Sequence, residues 1–408
     1  MGRQTLTFTL VIAIDATYSI YTWRKFLTIG IDARFAIRNR RGMGSYVLNL
    51  VRNLAAIDRS NQYILYTDTI DSDKLLPQTN NFETKILQPA NYLLWEQLAL
   101  PQQALKDNLD ILHCTFNTAP LILDKKIRLI TTIHDVMYLK PAKELADSTV
   151  MYQRLGRIYR SLIVSKTIYK ADRIITVSEF SKQDILSHFP TLDPSRISTT
   201  YEAADDIFLD VSNAKIELEN VSDKFGIISN YILTLGATDP RKNTEKIIRI
   251  FAKLKQEQKI SEQLVIVGIP NWRNSDFYAL VCDLQCQSDI IFTDFITQLE
   301  LCSLYKYASI FLYISLYEGF GIPPLEAMAC GTPVIVSNVT SIPEIVGDAA
   351  IQVDPYNQAA IENSILEVLK DRDLADNLVA KGRERLKNFS WHKMAESTHQ
   401  LYLSTVID

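Results

Sequence analysis

The chain has 408 residues, 47% of them hydrophobic, so it can bury two separate cores and predicts two or three domains. A formal net charge of −4 excludes an overall basic footprint for nucleic acid, although a local basic patch for anionic lipid stays open. No apolar run approaches the roughly 18 residues that a membrane-spanning helix needs. The five cysteines form no C-x-x-C pair, which favours reduced, buried thiols and a cytoplasmic compartment.

Residues 1–26 precede the first convincing strand and are interpreted as an appendage. The apolar run Leu6–Ile14 follows Arg3, but Asp15 interrupts it and no small-residue cleavage site follows. Three interpretations stay open: an additional strand, a segment lying on a surface, or translation from an upstream start codon.

The rest of the chain alternates apolar β-branched runs with longer amphipathic stretches, which predicts parallel sheets covered by helices. The pattern runs once before residue 205 and restarts after residue 230. The predicted strands are 27–32, 62–67, 83–87, 110–113, 128–133 and 173–177, then 231–235, 263–267, 289–292, 309–314, 333–336 and 350–353. The predicted helices are 43–56, 94–106, 150–170 and 179–188, then 243–257, 274–285, 298–306, 324–330, 357–370 and 373–388.

This pattern predicts an α/β protein with two doubly wound domains that face each other across a central cleft. The predicted units are an N-terminal domain (27–205), a weakly patterned linker (206–229), a C-terminal domain (230–388) and a final helix (389–408).

The first predicted strand leads into a glycine-containing loop. Gly42 and Gly44 allow the backbone to approach a phosphate closely. The loop is no dinucleotide fingerprint, because Val47 occupies the third glycine position. The four nearby arginines are expected on a solvated surface, where they could also attract a phosphate-bearing acceptor; they are Arg34, Arg38, Arg40 and Arg41.

Two further strand ends carry candidate side chains. His134 follows the β-branched run 128–133 and should face the cleft, although an isolated histidine is also compatible with a structural role. Arg241 and Lys242 follow the strand 231–235 and would add two cations to an anion site, although a solvated basic turn fits them equally well.

Two Asp-x-Asp triplets are candidate metal sites, because metal-dependent transferases hold a divalent cation with such pairs. Asp71-Ser72-Asp73 lies in a polar loop, and Asp371-Arg372-Asp373 lies between predicted helices. We expect neither to bind metal, since cations and a helix dipole can stabilise diphosphate instead.

The most informative segment follows the apolar run 310–314. It reads Glu318, Gly319, Phe320, Gly321, Ile322, two prolines, Leu325 and Glu326, and it ends at Gly331. Prolines at the start and a glycine after the end predict a helix whose N-terminus offers amide groups to an anion. A carboxylate on either side of a phosphate site fits a nucleotide-sugar, one for the hexose and one for the ribose.

This segment resembles the donor-binding signature of family 4 retaining glycosyltransferases, in which seven residues separate two carboxylates. The resemblance extends through 337–348 and covers about residues 27–405. It implies the GT-B fold, with a final helix that crosses back to the N-terminal domain. It also implies that Gly42 and Gly44 face the donor diphosphate, that His134 lies beside the donor sugar, and that the backbone of Phe295 and Ile296 reads the base.

The resemblance further implies catalytic roles for the basic turn and the first carboxylate. Lys242 matches the family's lysine, whereas Ala237 stands where the family has an arginine, so Arg241 is expected to substitute. With Lys242 and the backbone of 319–322, it would stabilise the leaving diphosphate. Glu318 would orient the sugar and Glu326 would hold the ribose.

The implied function is transfer of a hexose from a nucleotide-sugar to a saccharide or lipid-linked saccharide in glycan biosynthesis, with retention and without a metal. GDP-mannose is favoured because residues 27–135 resemble mannosyltransferase-like members. The implied location is cytoplasmic, with contact to the inner membrane face left open, as is the oligomeric state. The alternatives are a nucleotide-sugar epimerase of the same fold and a non-catalytic partner subunit. A pyridoxal-type phosphorylase would need a much longer chain.

Overall fold

The computed structural model describes residues 26–38, 42–140, 151–211, 214–228 and 230–407. Of the predicted appendage only Phe26 lies inside these ranges, and Arg40 and Arg41 lie outside them. The strands are β1 (Thr28–Asp32), β2 (Gln62–Thr67), β3 (Phe82–Ile86), β4 (Ile111–Cys114), β5 (Arg128–Thr132), β6 (Arg173–Thr176), β7 (Ile197–Thr199), β8 (Tyr231–Leu235), β9 (Gln263–Val267), β10 (Ile290–Thr293), β11 (Ile310–Tyr313), β12 (Val334–Ser337) and β13 (Ile351–Val353).

The helices cover both faces of the sheets. They are α1 (Arg34–Arg38), α2 (Met43–Ile57), α3 (Tyr92–Leu94), α4 (Leu100–Lys106), α5 (Met151–Thr167), α6 (Glu179–His188), α7 (Asp206–Leu209), α8 (Ala214–Phe225), α9 (Thr244–Gln256), α10 (Asp276–Asp283), α11 (Gln298–Tyr307), α12 (Ile322–Cys330), α13 (Ile342–Val346), α14 (Gln358–Lys370), α15 (Arg372–Leu386) and α16 (Trp391–Ile407).

Within the described ranges the strands form two parallel sheets, one of seven strands and one of six. Their orders are β3-β2-β1-β4-β5-β6-β7 and β10-β9-β8-β11-β12-β13. Both orders reverse once, between β1 and β4 and between β8 and β11, and ligands bind at such reversals in doubly wound sheets. The predicted fold class, two Rossmann-like domains of the GT-B type, is confirmed.

Burial on both faces explains why the central strands form where they do. All residues of β4, β9 and β11 are buried, as expected for parallel strands covered by helices on each side. Helix α9 buries Ile247, Phe251 and Leu254, which share one face at helical spacing. The hydrophobic core against α2 continues into the second domain, where it includes Tyr231 and Phe311.

The last helix crosses back to the first domain, as the resemblance predicted. Helix α16 packs against α2, and its Tyr402 hydroxyl lies 2.7 Å from Nδ1 of His113 in β4. Burial lowers the pKa of His113 to about 3, so this imidazole is neutral and serves as an internal hydrogen-bonding group. His399 of α16 adds a polar contact to Asp58, with Nε2 3.1 Å from Oδ2.

Several details differ from the sequence prediction, and the short helices α1 and α13 are among the elements that were not predicted. The three-residue strand β7 was missed, because Ile-Ser-Thr has no apolar run. The helix predicted at 94–106 begins at Tyr92 and contains a π-helical turn, Trp95–Ala99. The segment 206–229, predicted to be weakly patterned, carries the helices α7 and α8, and the domain boundaries placed around it stay a prediction.

No helix among the described residues is long and apolar enough to cross a membrane.

Candidate functional site

The candidate site lies where two neighbouring strands of the second sheet end. β8 and β11 pair side by side at the reversal of strand order. The turn after β8 carries Arg241 and Lys242, and the loop after β11 carries Glu318. Because parallel strands end at the same sheet edge, these distant segments of the chain meet at the position where such sheets bind ligands.

Lys242 and Glu318 form a close ion pair. The Nζ atom of Lys242 lies 2.7 Å from Oε1 of Glu318 and 2.7 Å from the Tyr313 hydroxyl. Burial opposes the charge on the ammonium, but Glu318 and Tyr313 outweigh it and raise the pKa of Lys242. Burial likewise opposes the charge on Glu318, but Lys242 and Arg241 outweigh it and lower the pKa of that carboxyl. Both groups are therefore charged at neutral pH.

Arg241 extends this charged group towards the first domain. Its Nη2 atom lies 2.8 Å from Oδ2 of Asp239. Burial opposes its charge, but Asp239, Glu318 and Asp135 outweigh it and raise the pKa of the guanidinium. Since Asp135 belongs to the first domain, Arg241 interacts electrostatically with acidic residues on both sides of the cleft. Its substitution for the family's arginine stays a prediction.

The predicted strand, glycine loop and helix are present between β11 and Gly331. Gly321 has a φ of 105° and precedes α12, and a Cβ atom there would lie 2.5 Å from Cδ1 of Ile342. Gly331 ends the helix with a φ of 78°, and its amide faces the carbonyls of Ala327 and Met328. Only glycine adopts such backbone angles at low cost, which explains both positions.

The loop before α12 is fixed by hydroxyl groups that follow β12. The Ser341 hydroxyl lies 3.0 Å from the carbonyl oxygen of Glu318 and 2.7 Å from that of Phe320. The Thr340 hydroxyl accepts the amide of Glu318 at 3.2 Å. Within the described chain, the amides of 319–321 donate to no protein acceptor. They lie at the positive end of α12, where an anion would satisfy them.

The second carboxylate of the signature has a different environment. Glu326 accepts a hydrogen bond from the Tyr305 hydroxyl at 3.1 Å and has no cationic partner among the described residues. Burial raises the pKa of Glu326 to about 8, with a further contribution from Asp205. The carboxyl is therefore largely protonated at neutral pH, in contrast to the ionised Glu318.

His134 lies where β5 ends, as predicted, and is buried. Its Nδ1 atom is 3.4 Å from Oε1 of Glu202, and its Nε2 atom is 3.1 Å from the carbonyl oxygen of Thr115. The ring meets the Tyr46 ring edge-on at a centroid distance of 4.8 Å. Both ring nitrogens thus face oxygen atoms within the first domain.

Glu202 was missed by the sequence analysis. It is a buried carboxylate, 5% exposed, that follows β7 and reaches the ring of His134. The signal that could have identified it was an acidic residue after a strand end, but the strand itself was not recognised.

The first glycine loop is only partly described. Gly42 is exposed with a φ of 43°, and Gly44 is buried in the first turn of α2. The next turn of α2 connects to the second domain, because Ser45 and Asn49 both donate to Asp205, which also accepts from Gln298. A contact of Gly42 or Gly44 with a phosphate stays a prediction.

Arg34 corrects the expectation of a solvated arginine cluster. It is 1% exposed, pairs with Asp32 at 2.7 Å and lies over the Trp95 ring at 3.7 Å. Arg38 fits the expectation better, since it is 44% exposed, although it pairs with Asp68 at 2.7 Å. The buried position of Arg34 removes it from any recognition of an acceptor.

Phe295 and Ile296 follow the edge strand β10 at the same edge of the sheet as Lys242. Phe295 is 54% exposed, and Ile296 packs against the core. The preceding Asp294 is held by the amide of Asn271, which lies 2.9 Å from its Oδ1 atom. Reading of the base by this segment stays a prediction.

The two Asp-x-Asp triplets have structural roles at chain turns. Asp71 accepts the amides of Leu75 and Leu76, and Asp371 caps α15 by accepting the amide of Leu374. Over the part of the chain that the structure describes, no group of three histidine, cysteine or acidic side chains is placed to hold a metal ion.

Comparison with known proteins identifies both halves of the chain. Residues 40–206 match the model described as Glycosyltransferase Family 4, and residues 220–385 match the model described as Glycosyl transferases group 1.

Two similar proteins are named for the same sugar. The O-antigen chain mannosyltransferase B of Escherichia coli is 30% identical over 376 residues, which cover 88% of this chain and 95% of that protein. The O-antigen chain mannosyltransferase RfbU of Salmonella typhimurium is 28% identical, with coverage of 78% and 83%. Among solved structures, the sucrose-phosphate synthase of Thermosynechococcus elongatus superposes with a TM-score of 0.70 at 22% identity, covering 93% and 98% of the two chains.

The protonated state of Glu326 predicts how stability changes with pH. Between its ordinary pKa of 4.5 and about 8, the folded carboxyl keeps a proton that the unfolded chain loses. The stability that it contributes is present below the lower value and is lost as the pH rises through the upper one. Glu326→Gln should therefore gain stability relative to wild type between about pH 5 and about pH 9 in thermal unfolding. The exposed Glu384→Gln is the control, and a pH-independent difference for Glu326→Gln would contradict the assignment.

Proposed function

The chain belongs to glycosyltransferase family 4, and on that premise we propose that it transfers mannose from GDP-mannose to a saccharide or lipid-linked saccharide, with retention of anomeric configuration. The named relatives support mannose as the sugar and a cell-surface polysaccharide as the product class. The observation that carries the proposal is the Lys242–Glu318 pair, which places a cation and a carboxylate together beside the anion-binding end of α12.

The leaving group sets the main catalytic requirement. As the bond to the anomeric carbon breaks, negative charge grows on the departing phosphate oxygen, and fixed charges nearby lower the barrier. Lys242 and Arg241 supply two cations, and the backbone of 319–322 supplies amides at a helix N-terminus. These groups would stabilise the diphosphate without a metal ion.

The two carboxylates fit the two sugars of the donor. Glu318 is ionised and would accept hydrogen bonds from hydroxyl groups of the hexose in place of its present bond from Lys242. Glu326 is held neutral by burial and would ionise when ribose hydroxyls donate to it, because hydrogen bonds to a carboxylate favour the charged form.

His134 would shape the sugar-binding side rather than act as a general base. Its two ring nitrogens are directed at Glu202 and at the Thr115 carbonyl. In a retaining reaction without a covalent intermediate, the incoming hydroxyl attacks the face that the leaving group vacates. The departing phosphate oxygen is then the group placed to accept its proton.

A position at the inner face of a membrane follows from a lipid-linked acceptor. The helical segment 92–106 of the first domain supports it, because Leu94, Leu98 and Leu105 are 39%, 52% and 50% exposed. At spacings of four and seven residues these side chains share one helical face.

Donor binding tests the assignment of the site. Thermal-shift measurements with a panel of nucleoside diphosphates and nucleotide-sugars should show stabilisation by GDP and GDP-mannose, because a ligand that binds only the folded state raises the melting temperature. Glu326→Ala should lose this shift, and Glu384→Ala should keep it. Stabilisation by a uridine nucleotide alone would overturn the choice of donor, and no shift with any nucleotide would favour a non-catalytic partner subunit.

Turnover tests the role of Lys242. Lys242→Ala should lower kcat by roughly 10²-fold or more, as loss of an oxyanion donor does. Lys259→Ala removes an exposed lysine of the same domain and should leave turnover unchanged. Unchanged turnover in Lys242→Ala would refute the assignment. An absolute requirement for an acceptor in the wild-type reaction would exclude the epimerase.

A further inference from the structure

The loop that carries Glu318 touches the first domain at its next residue. The Gly319 carbonyl oxygen lies 2.6 Å from the Ser178 hydroxyl and 2.9 Å from the Ser181 hydroxyl. The Ser181 hydroxyl is also 3.1 Å from the His134 carbonyl oxygen, so its single proton is shared between the two domains. The catalytic loop and the end of β5 are therefore joined through α6.

The requirement for glycine at position 319 comes from this contact and not from the backbone angles of the residue. A Cβ atom there would lie 2.4 Å from the His134 carbonyl oxygen and 3.1 Å from Cβ of Asp135. Its φ lies outside the left-handed region, unlike that of Gly321. An alanine side chain at 319 would therefore fit within the second domain by itself. It would clash with the first domain at the present distance between the two.

A second contact lies beside the first and is formed by Glu344 of α13. Its Oε1 atom accepts the Glu179 amide at 2.8 Å, and its Oε2 atom accepts the Phe180 amide at 3.0 Å. These are first-turn amides of α6, where a carboxylate interacts favourably with the helix dipole. The Tyr201 hydroxyl also donates to Oε1 at 2.8 Å. One side chain of the second domain thus caps a helix of the first.

The backbone that presents Glu344 is itself fixed. Arg385 donates from Nε to the Ile345 carbonyl at 2.9 Å and from Nη2 to the Glu344 carbonyl at 2.5 Å. On the other side of the loop, the Tyr317 hydroxyl donates to Asp184 of α6 at 2.6 Å. The residues on either side of Glu318 are therefore both attached to α6.

We propose that Gly319 and Glu344 are positioning residues that lock the second domain against α6 and so hold Glu318 and Lys242 opposite His134. The proposal rests on the proposed transferase function. The lock sets the geometry of transfer but not the binding of the nucleotide, because Glu326 makes its contact within the second domain. Displacing reacting groups by about 1 Å costs about 10²-fold in rate.

Gly319→Ala and Glu344→Ala test the lock, and Glu344→Ala separates turnover from binding. Each should lower kcat at saturating substrates by about 10²-fold. Glu344→Ala alters no group assigned to the donor, so it should leave the GDP dissociation constant and the melting temperature close to wild type. Glu344→Gln keeps the length and one acceptor oxygen, so its kcat should lie between those of wild type and Glu344→Ala. The matched controls are Gly156→Ala, whose added Cβ would meet, among the described residues, only the end of a flexible arginine at 3.9 Å, and the exposed Glu384→Ala.

Small-angle X-ray scattering provides a measurement that needs no activity. Gly319→Ala should have a larger radius of gyration than wild type and Gly156→Ala, because the domains cannot approach. Wild-type kcat and an unchanged radius in Gly319→Ala would overturn the lock, as would equal losses of kcat and GDP binding in Glu344→Ala. Absence of transfer by the wild type, with an enlarged radius in Gly319→Ala, would refute the transferase function and support the lock as a domain contact.

Discussion

The ion pair between Lys242 and Glu318 is the interaction on which the site depends. Partly buried charges lose hydration and are tolerated only when paired and hydrogen-bonded, and here the Tyr313 hydroxyl completes the ammonium's contacts. Without a donor, each side chain is the other's counterion. In the proposed reaction the diphosphate replaces Glu318 as the partner of Lys242, and the hexose replaces Lys242 as the partner of Glu318. The pair therefore keeps both groups charged and in place before the substrate arrives.

The different environments of Glu318 and Glu326 would allow one signature to bind the two sugars of the proposed donor. Glu318 lies among cations and stays ionised, whereas Glu326 meets a tyrosine and is held protonated by burial. Nucleotide binding near neutral pH would then release a proton from Glu326. The contacts of Gly319 and Glu344 with α6 bring the first domain to the same edge of the sheet, so Glu318 lies in a cleft that has a wall from each domain.

Much of the fold and the second-domain site could be predicted, because the signals are local. A loop with glycine at a φ of 105°, a helix with proline in its first turn, and two carboxylates separated by seven residues lie within one stretch of sequence. The remainder depends on contacts between distant segments. Nothing near Glu202 indicates that it reaches His134, and nothing near Glu344 indicates that it caps α6. The buried position of Arg34 likewise depends on Trp95 and Asp32, which only the folded chain places around it.

The transfer reaction itself, followed by nuclear magnetic resonance with GDP-mannose labelled at the anomeric carbon and a lipid-linked saccharide acceptor, tests the proposed function most directly. We expect stoichiometric release of GDP and a product with the same anomeric configuration as the donor. Inverted configuration would contradict the retaining mechanism. Consumption of the labelled donor without any acceptor, yielding an isomeric nucleotide-sugar, would contradict glycosyl transfer and establish an epimerase.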